Sequence, residues 1–363
     1  MSDPTVSPTL DEAAVVATLS RHAPAWLDSP EPGSAVVHRV EQRTQSTLIW
    51  ADIMSGGDRR PVVVKIPLPP RPSAATTGFR LFEPVVDPVE KSGFEYATLA
   101  AVDRVVGARG DDRFGRIRAY GHLPELAAVV VGVAPGRTLD RALRRGRRGG
   151  PGDERRVELM HRSGALLQLF HSATTDHMVT RSTTADEVVA EVENLFRHIE
   201  GSGRGRRLAP RIESIANRFA APSGWPAEPV MGHGDFAPRN IFVDDELRVT
   251  TIDSLGRFRI PPQEDVSYLL VELSTGSTRF SSPGMPWSAA WVDRLRRSFL
   301  AGYPMADDPV LWLFELRALL DKWRSLVDRR NNRTTSVVLR DGVRQALLER
   351  EVARVADRLE RTL

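Results

Sequence analysis

His233-Gly234-Asp235-Phe236-Ala237-Pro238-Arg239-Asn240, followed by Asp253 after Arg248-Val249-Thr250-Thr251-Ile252, is the stretch on which the reading of this chain turns. It carries three hard oxygen donors, two carboxylates and a carboxamide. Ile241-Phe242-Val243 and Val249-Thr250-Thr251-Ile252, joined by Asp244-Asp245-Glu246, predict a hairpin that returns the chain beside its start. Asn240 and Asp253 then become neighbours, and magnesium prefers such ligands, so this pair is the candidate metal site. Asp235 precedes the hairpin in a constrained Phe-Ala-Pro loop that can aim its carboxylate at an acceptor hydroxyl, as general base or as orienter. A turn aspartate capping amides and an aspartate ending a strand would each be ordinary alone. Together, at this spacing, they argue for chemistry.

Outside this stretch, composition sets bounds. A chain of 363 residues exceeds one typical domain and allows two lobes, each with its own core. It is 41% hydrophobic and 27% charged, the balance of a globular protein. Cysteine is absent, which excludes disulfides and thiolate metal sites and leaves nothing that requires an oxidising compartment. The opening Met1-Ser2-Asp3-Pro4-Thr5 does not read as a secretory signal. The longest apolar run, Leu126 to Ala134, is too short to span a bilayer and reads as a buried strand. The expected location is cytoplasmic, without a membrane partner. A net charge of +3 does not imply nucleic acid, and the clusters Arg144-Arg145-Gly146-Arg147-Arg148 and Arg204-Gly205-Arg206-Arg207 lack aromatics for base stacking. They read as solvated loops.

Only three of the 50 basic residues are lysines, at positions 65, 91 and 322. Lys65, inside the apolar run Pro61-Val62-Val63-Val64-Lys65-Ile66-Pro67, is therefore a rare residue type and a charge in a strand. Strands are predicted over 35–40, 46–53 and 61–66, the last two joined by a turn at Ser55-Gly56-Gly57-Asp58, and near 116–121 and 127–133. Helices are expected over 10–27, 94–102, from Thr138, over 154–173, 185–199, 264–274, 288–301, 309–328 and 341–361. Residues 67–93 read as a long loop.

The interval from Asp235 to Asn240 equals that of the protein-kinase catalytic loop H-R-D-x-x-x-x-N, with Gly234 in place of the arginine. From residue 35 to residue 275 the chain resembles the aminoglycoside phosphotransferase and choline kinase-like family, whose loop reads H-G-D-x-x-x-x-N. The resemblance implies an α+β, bilobal protein-kinase-like fold. A leading helix would lie within 1–30, an N-terminal antiparallel-sheet lobe that binds the nucleotide within 31–133, and a helical catalytic and substrate lobe within 134–363. It further implies ATP as phosphate donor, Asp235 as catalytic base, Asn240 and Asp253 as Mg2+ ligands, and a small hydroxyl compound as acceptor.

On the same resemblance Lys65 matches the strand lysine that pairs with the α- and β-phosphates, and Glu95 the helix glutamate that orients it, with Glu90 a weaker rival. The stretch around Val131 and Val133 resembles the hinge whose backbone meets adenine, with Gly132 where an acidic residue is common. Asp265 resembles the helix-start aspartate that braces the catalytic loop. His233 is expected to position that loop, and His171 to pack in the core. Two departures stand out. Glu41 to Thr47, where a phosphate-covering loop should lie, has no glycine, so Ser46 or Thr47 is the expected donor. Asp253 is followed by Ser254-Leu255-Gly256 rather than by Phe-Gly.

Between residues 260 and 340, nine acids face eleven bases, which is no trap for a polycation. A sugar or hydroxylated metabolite is thus a better acceptor than a polycationic antibiotic. Trp287, Trp291, Trp312 and Trp323 read mainly as core. The rival readings are a nucleotide-binding pseudokinase that acts by protein interaction, and a protein kinase, disfavoured by the missing H-R-D and A-P-E elements.

Overall fold

The protein, in the computed structural model, is described over residues 11–43, 45–68, 87–144, 152–175, 178–180, 183–219, 228–254, 257–276, 288–330 and 335–363, with 329–330 and 335–341 in backbone only. Within these residues it divides into two compact units. The first takes the described residues of 1–71, 85–103 and 117–134, the second those of 104–116 and 135–363.

In the first unit, alternation of apolar and polar residues produces antiparallel strands: β1 (Ser34–Gln42), β2 (Ser46–Ser55), β3 (Asp58–Pro67), β4 (Ala119–Leu123) and β5 (Ala128–Gly132). They form one sheet in the order β1-β2-β3-β5-β4. β2 and β3 are joined by Gly56-Gly57, with Ser55 opposite Asp58, as the sequence predicts. Ile49, Ala51, Ile53, Val62, Val64 and Val130 bury one face, and helix α1 (Glu12–Leu27) covers it with Val15, Leu19 and Ala23, a four-residue spacing that keeps them on one helical face. The leading helix thus packs on the sheet. α2 (Pro88–Arg109) starts earlier than Phe94, while residues 69–86 of the expected loop lie outside the described residues.

The second unit is mostly helical: α3 (Leu139–Arg144), α4 (Gly152–Ser172), α5 (Ala185–Gly201), α6 (Ala209–Arg218), α7 (Gln263–Thr275), α8 (Ala289–Gly302), α9 (Pro309–Arg330) and α10 (Thr335–Glu360). α5 opens with a capping box between Thr184 and Glu187. Trp323 and Phe314 of α9 are fully buried against Val192 and Ile199 of α5 and Val352 and Leu359 of α10. Removing such an indole costs about 3–5 kcal/mol. Two small sheets complete the unit: β6 (Arg137–Thr138), β9 (Ile241–Val243) and β10 (Val249–Thr251) in the order β10-β9-β6, and β7 (Val179–Thr180), β8 (Val230–Met231) and β11 (Phe258–Ile260) in the order β7-β11-β8.

Two local readings change. Thr138 lies in β6, paired with Phe242, and the helix begins at Leu139. Beyond Arg204-Gly205-Arg206-Arg207 the chain forms α6, where Ile212 and Ile215 are buried. Two buried apolar side chains set no recognisable helical period. Among the described residues no helix is long and apolar enough to cross a membrane.

Candidate active site

In the first unit Lys65 lies on β3 opposite Leu48 of β2 and Val129 of β5, a position where an ammonium must be answered by a charge. Glu95 of α2 supplies it: Lys65 Nζ donates to Glu95 Oε1 at 2.8 Å, with both side chains largely buried. The partner is thus Glu95, not Glu90. Ser46 and Thr47, at the start of β2, are 7% and 3% exposed. Val131 pairs with Val63, while Val133 follows β5 and is 43% exposed.

In the second unit the loop after β8 is held from behind. Gly234 has φ 79, a left-handed conformation that glycine takes without the penalty a β-carbon would bring. Asp265, at the first turn of α7, accepts hydrogen bonds from the His233 N–H at 2.6 Å and the Gly234 N–H at 2.8 Å, and its Oδ2 lies 3.0 Å from His171 Nε2. His171 Nδ1 is in turn 2.9 Å from the Tyr303 hydroxyl, so it is a polar bracket rather than mere packing. Burial pushes the Asp265 carboxyl up, but the bonded imidazole and backbone amide and the histidine charges outweigh it, holding the group below its usual range. His233 is fully buried with Nε2 2.7 Å from Thr251 Oγ1, and burial depresses its pKa to about 4 despite nearby Asp265 and Asp253. It is a neutral scaffold residue.

The other end of the loop is built differently. Asn240 Nδ2 donates to the Asp235 carbonyl at 2.9 Å and to Asp235 Oδ2 at 2.8 Å, which turns the carboxamide oxygen away from that carboxylate. The Ile252 N–H bonds the Asn240 carbonyl at 3.0 Å, so the predicted hairpin of β9 and β10 does bring Asn240 and the Asp253 segment together. Asp253 itself has φ 65, a conformation aspartate tolerates better than most residues. Asp235 is pushed up to about 6, first by burial and also by the like charge of Asp253, against the lowering pull of Arg239 and of bonds from Asn240 and Tyr268. Two mutually repelling, partly desolvated carboxylates have the chemistry that suits a hard divalent cation. Among the described residues no group of three or more His, Asp or Glu side chains could hold a metal unaided.

Sequence reasoning missed the residues around that carboxylate. The Arg239 guanidinium donates to Asp235 Oδ1 and, at 3.0 Å, to the Tyr268 hydroxyl, and lies 3.7 Å from Glu272. Lys322 Nζ donates to Glu272 Oε1 at 2.7 Å. Burial would raise Glu272, but Lys322 and Arg239 hold it below its usual range. A signal existed: Tyr268 and Glu272 sit four apart on α7, hence on one face, and Lys322 is one of three lysines in an arginine-rich chain. Of the tryptophans, Trp323 is core, Trp312 packs against that core with its indole N–H on Asp307, and Trp287 lies outside the described residues. So do Leu255 and Gly256.

No protein-family model matches the chain. No curated protein matches it in sequence. Solved structures do match in fold. A Ralstonia eutropha JMP134 protein provisionally assigned as an aminoglycoside phosphotransferase aligns with TM-score 0.55 and 13% identity over 96% of this chain and 98% of its own. A glucosamine kinase, solved with glucosamine, ADP and inorganic phosphate, aligns with TM-score 0.51 and 17% identity over 96% and 99%. Choline kinase from Cryptosporidium parvum Iowa II aligns with TM-score 0.54 and 11% identity over 97% of each chain. The chain therefore has the α+β, protein-kinase-like fold found in these proteins.

Proposed function

We propose that the chain is an ATP-dependent O-phosphotransferase of the aminoglycoside phosphotransferase and choline kinase-like kind, moving the γ-phosphate of Mg-ATP to a hydroxyl of a small molecule. The observation that carries this reading is the pair of repelling carboxylates, Asp235 and Asp253, set around Asn240 on a loop pinned by Asp265. Asp235, with a pKa near 6, is ionised at neutral pH yet basic enough to take a proton from, or orient, the acceptor hydroxyl. Asn240 and Asp253 would hold magnesium, whose charge offsets that building on the transferring phosphoryl group. Two protein ligands make an incomplete shell, as expected where phosphate oxygens and water supply the rest. Lys65, oriented by Glu95, would meet the α- and β-phosphates, Ser46 or Thr47 would donate to phosphate, and the backbone near Val131 and Val133 would bond adenine.

Arg239 bears on the acceptor. A guanidinium already on Asp235 disfavours a polycation there, which supports a sugar or hydroxylated metabolite over a polycationic antibiotic. The same contact is the one observation that favours the pseudokinase reading, since it occupies the base. An acceptor screen under Mg-ATP separates them. ADP release and a mass gain of one phosphate, both lost in Asp235→Ala, are expected from the kinase. Magnesium-dependent ATP binding with no transfer to any acceptor would overturn it.

A further inference from the structure

A cavity of about 720 Å3 lies wholly within the second unit, between the β6–α3 segment and the turn that joins β9 to β10. Gly136, Arg137, Arg141, Arg144, Val243 and Asp245 line it. The size is that of a small-molecule site. One wall is set by Gly136, whose φ is 80 and whose absent β-carbon would fall 2.1 Å from the Val243 carbonyl oxygen, so β6 and the end of β9 approach as only glycine permits.

Among the described residues the charges on this wall are not all balanced. Arg144 is paired with Asp140. Among the described residues Arg137 has no side-chain partner and its buried Nε no hydrogen bond, while the side chain of the exposed Arg141 makes no ion pair. A buried donor left unmade costs about 1–3 kcal/mol, and native structures keep such groups rare. Two guanidinium forks turned to one cavity match the geometry of a tetrahedral or planar anion. Asp245, the acid among the lining residues, answers neither of them and can accept from a hydroxyl.

We propose that this cavity binds a small phosphomonoester, with the phosphate held by Arg137 and Arg141 and a hydroxyl of the same molecule offered to Asp245. The site differs from the place where Asn240 and Asp253 would hold magnesium. Asn240 precedes β9 and Asp253 follows β10, whereas the cavity lies at the turn, at the other end of the same hairpin. Three-residue strands separate the two ends by roughly 10 Å. The proposal holds whether or not the chain transfers phosphate.

The test is calorimetric titration of the full chain with inorganic phosphate, glycerol 3-phosphate and glucose 6-phosphate, without nucleotide or magnesium. Saturable binding is expected, tighter for the esters that carry hydroxyls. Arg137→Gln with Arg141→Gln should weaken it at least about tenfold. Asp253→Asn should leave it unchanged. Because Arg137 is partly buried, Arg141→Glu, on an exposed side chain, serves as a second variant that should fold and still lose binding, with melting temperature as the control. Absence of saturable binding by all three probes would overturn the site. So would equal binding by the arginine variants, loss in Asp253→Asn, or an arginine-dependent response to single-stranded RNA alone.

Discussion

The two ends of the loop from His233 to Asn240 place two aspartates, one buried and one half-buried, in opposite states. Asp265, behind the loop, accepts from two backbone amides and faces an imidazole, and its carboxyl is held below the usual range. Asp235, in front, receives an arginine and an asparagine but shares its surroundings with Asp253, and its pKa rises to about 6. Burial raises both. What separates them is whether fixed donors outweigh desolvation and the nearest like charge. One carboxylate is spent on structure, and the other is kept unsettled for chemistry.

The contrast can be broken from either side. The largest effect is expected from Asp235→Asn, which should lower kcat by about 100- to 10,000-fold in an ADP-release assay while circular dichroism stays native. Retained turnover would remove Asp235 from the reaction. Next, Asp265→Ala strips two buried N–H groups and His171 of their partner and should cost about 3–5 kcal/mol in urea unfolding. A cost under 1 kcal/mol would mean the loop is held elsewhere.

Stability and activity should diverge at the front end. The folded pKa of Asp235, about 6, lies above its ordinary 3.8, so ionising it opposes folding. Asp235→Asn should therefore add about 1–3 kcal/mol at pH 8 without magnesium, a gain that fades as pH falls from 6 to 3.8. His233 works the other way: its folded pKa of about 4 lies below 6.5, so its contribution is lost as pH falls through that window. In wild type the two slopes oppose each other, and the variant should show the steeper acid loss. The smallest effect is on a pH profile. Arg239→Gln removes the main group that lowers Asp235, and the acid limb of kcat/KM should move up by about one unit.

What the sequence disclosed follows the same division. Strands β1, β2 and β3 were legible because alternation writes their period, and Lys65 because a charge there breaks a run of valines in a chain short of lysine. Asp235, Asn240 and Asp253 were legible through spacing. Arg239 was not, since a charged loop residue looks solvated until Tyr268 and Glu272 are seen to receive it. β7 and β11 were invisible for another reason. Strands of two or three residues carry no period, and β7 pairs in parallel with β11 across a long stretch of chain. His171 read as packing because its partners, Asp265 and Tyr303, are distant in sequence.

Asp265 also bears on the order of folding. It draws together the end of α4, the loop and the start of α7, contacts that span 94 and 32 residues of chain. Contacts of such separation form only after long segments have closed. The loop should therefore acquire its working shape late, once both helices have docked. Amide exchange at His233 and Gly234 should slow last among the loop's amides during refolding, so that a nascent chain ending before α7 would carry the whole H-G-D-x-x-x-x-N motif without its geometry.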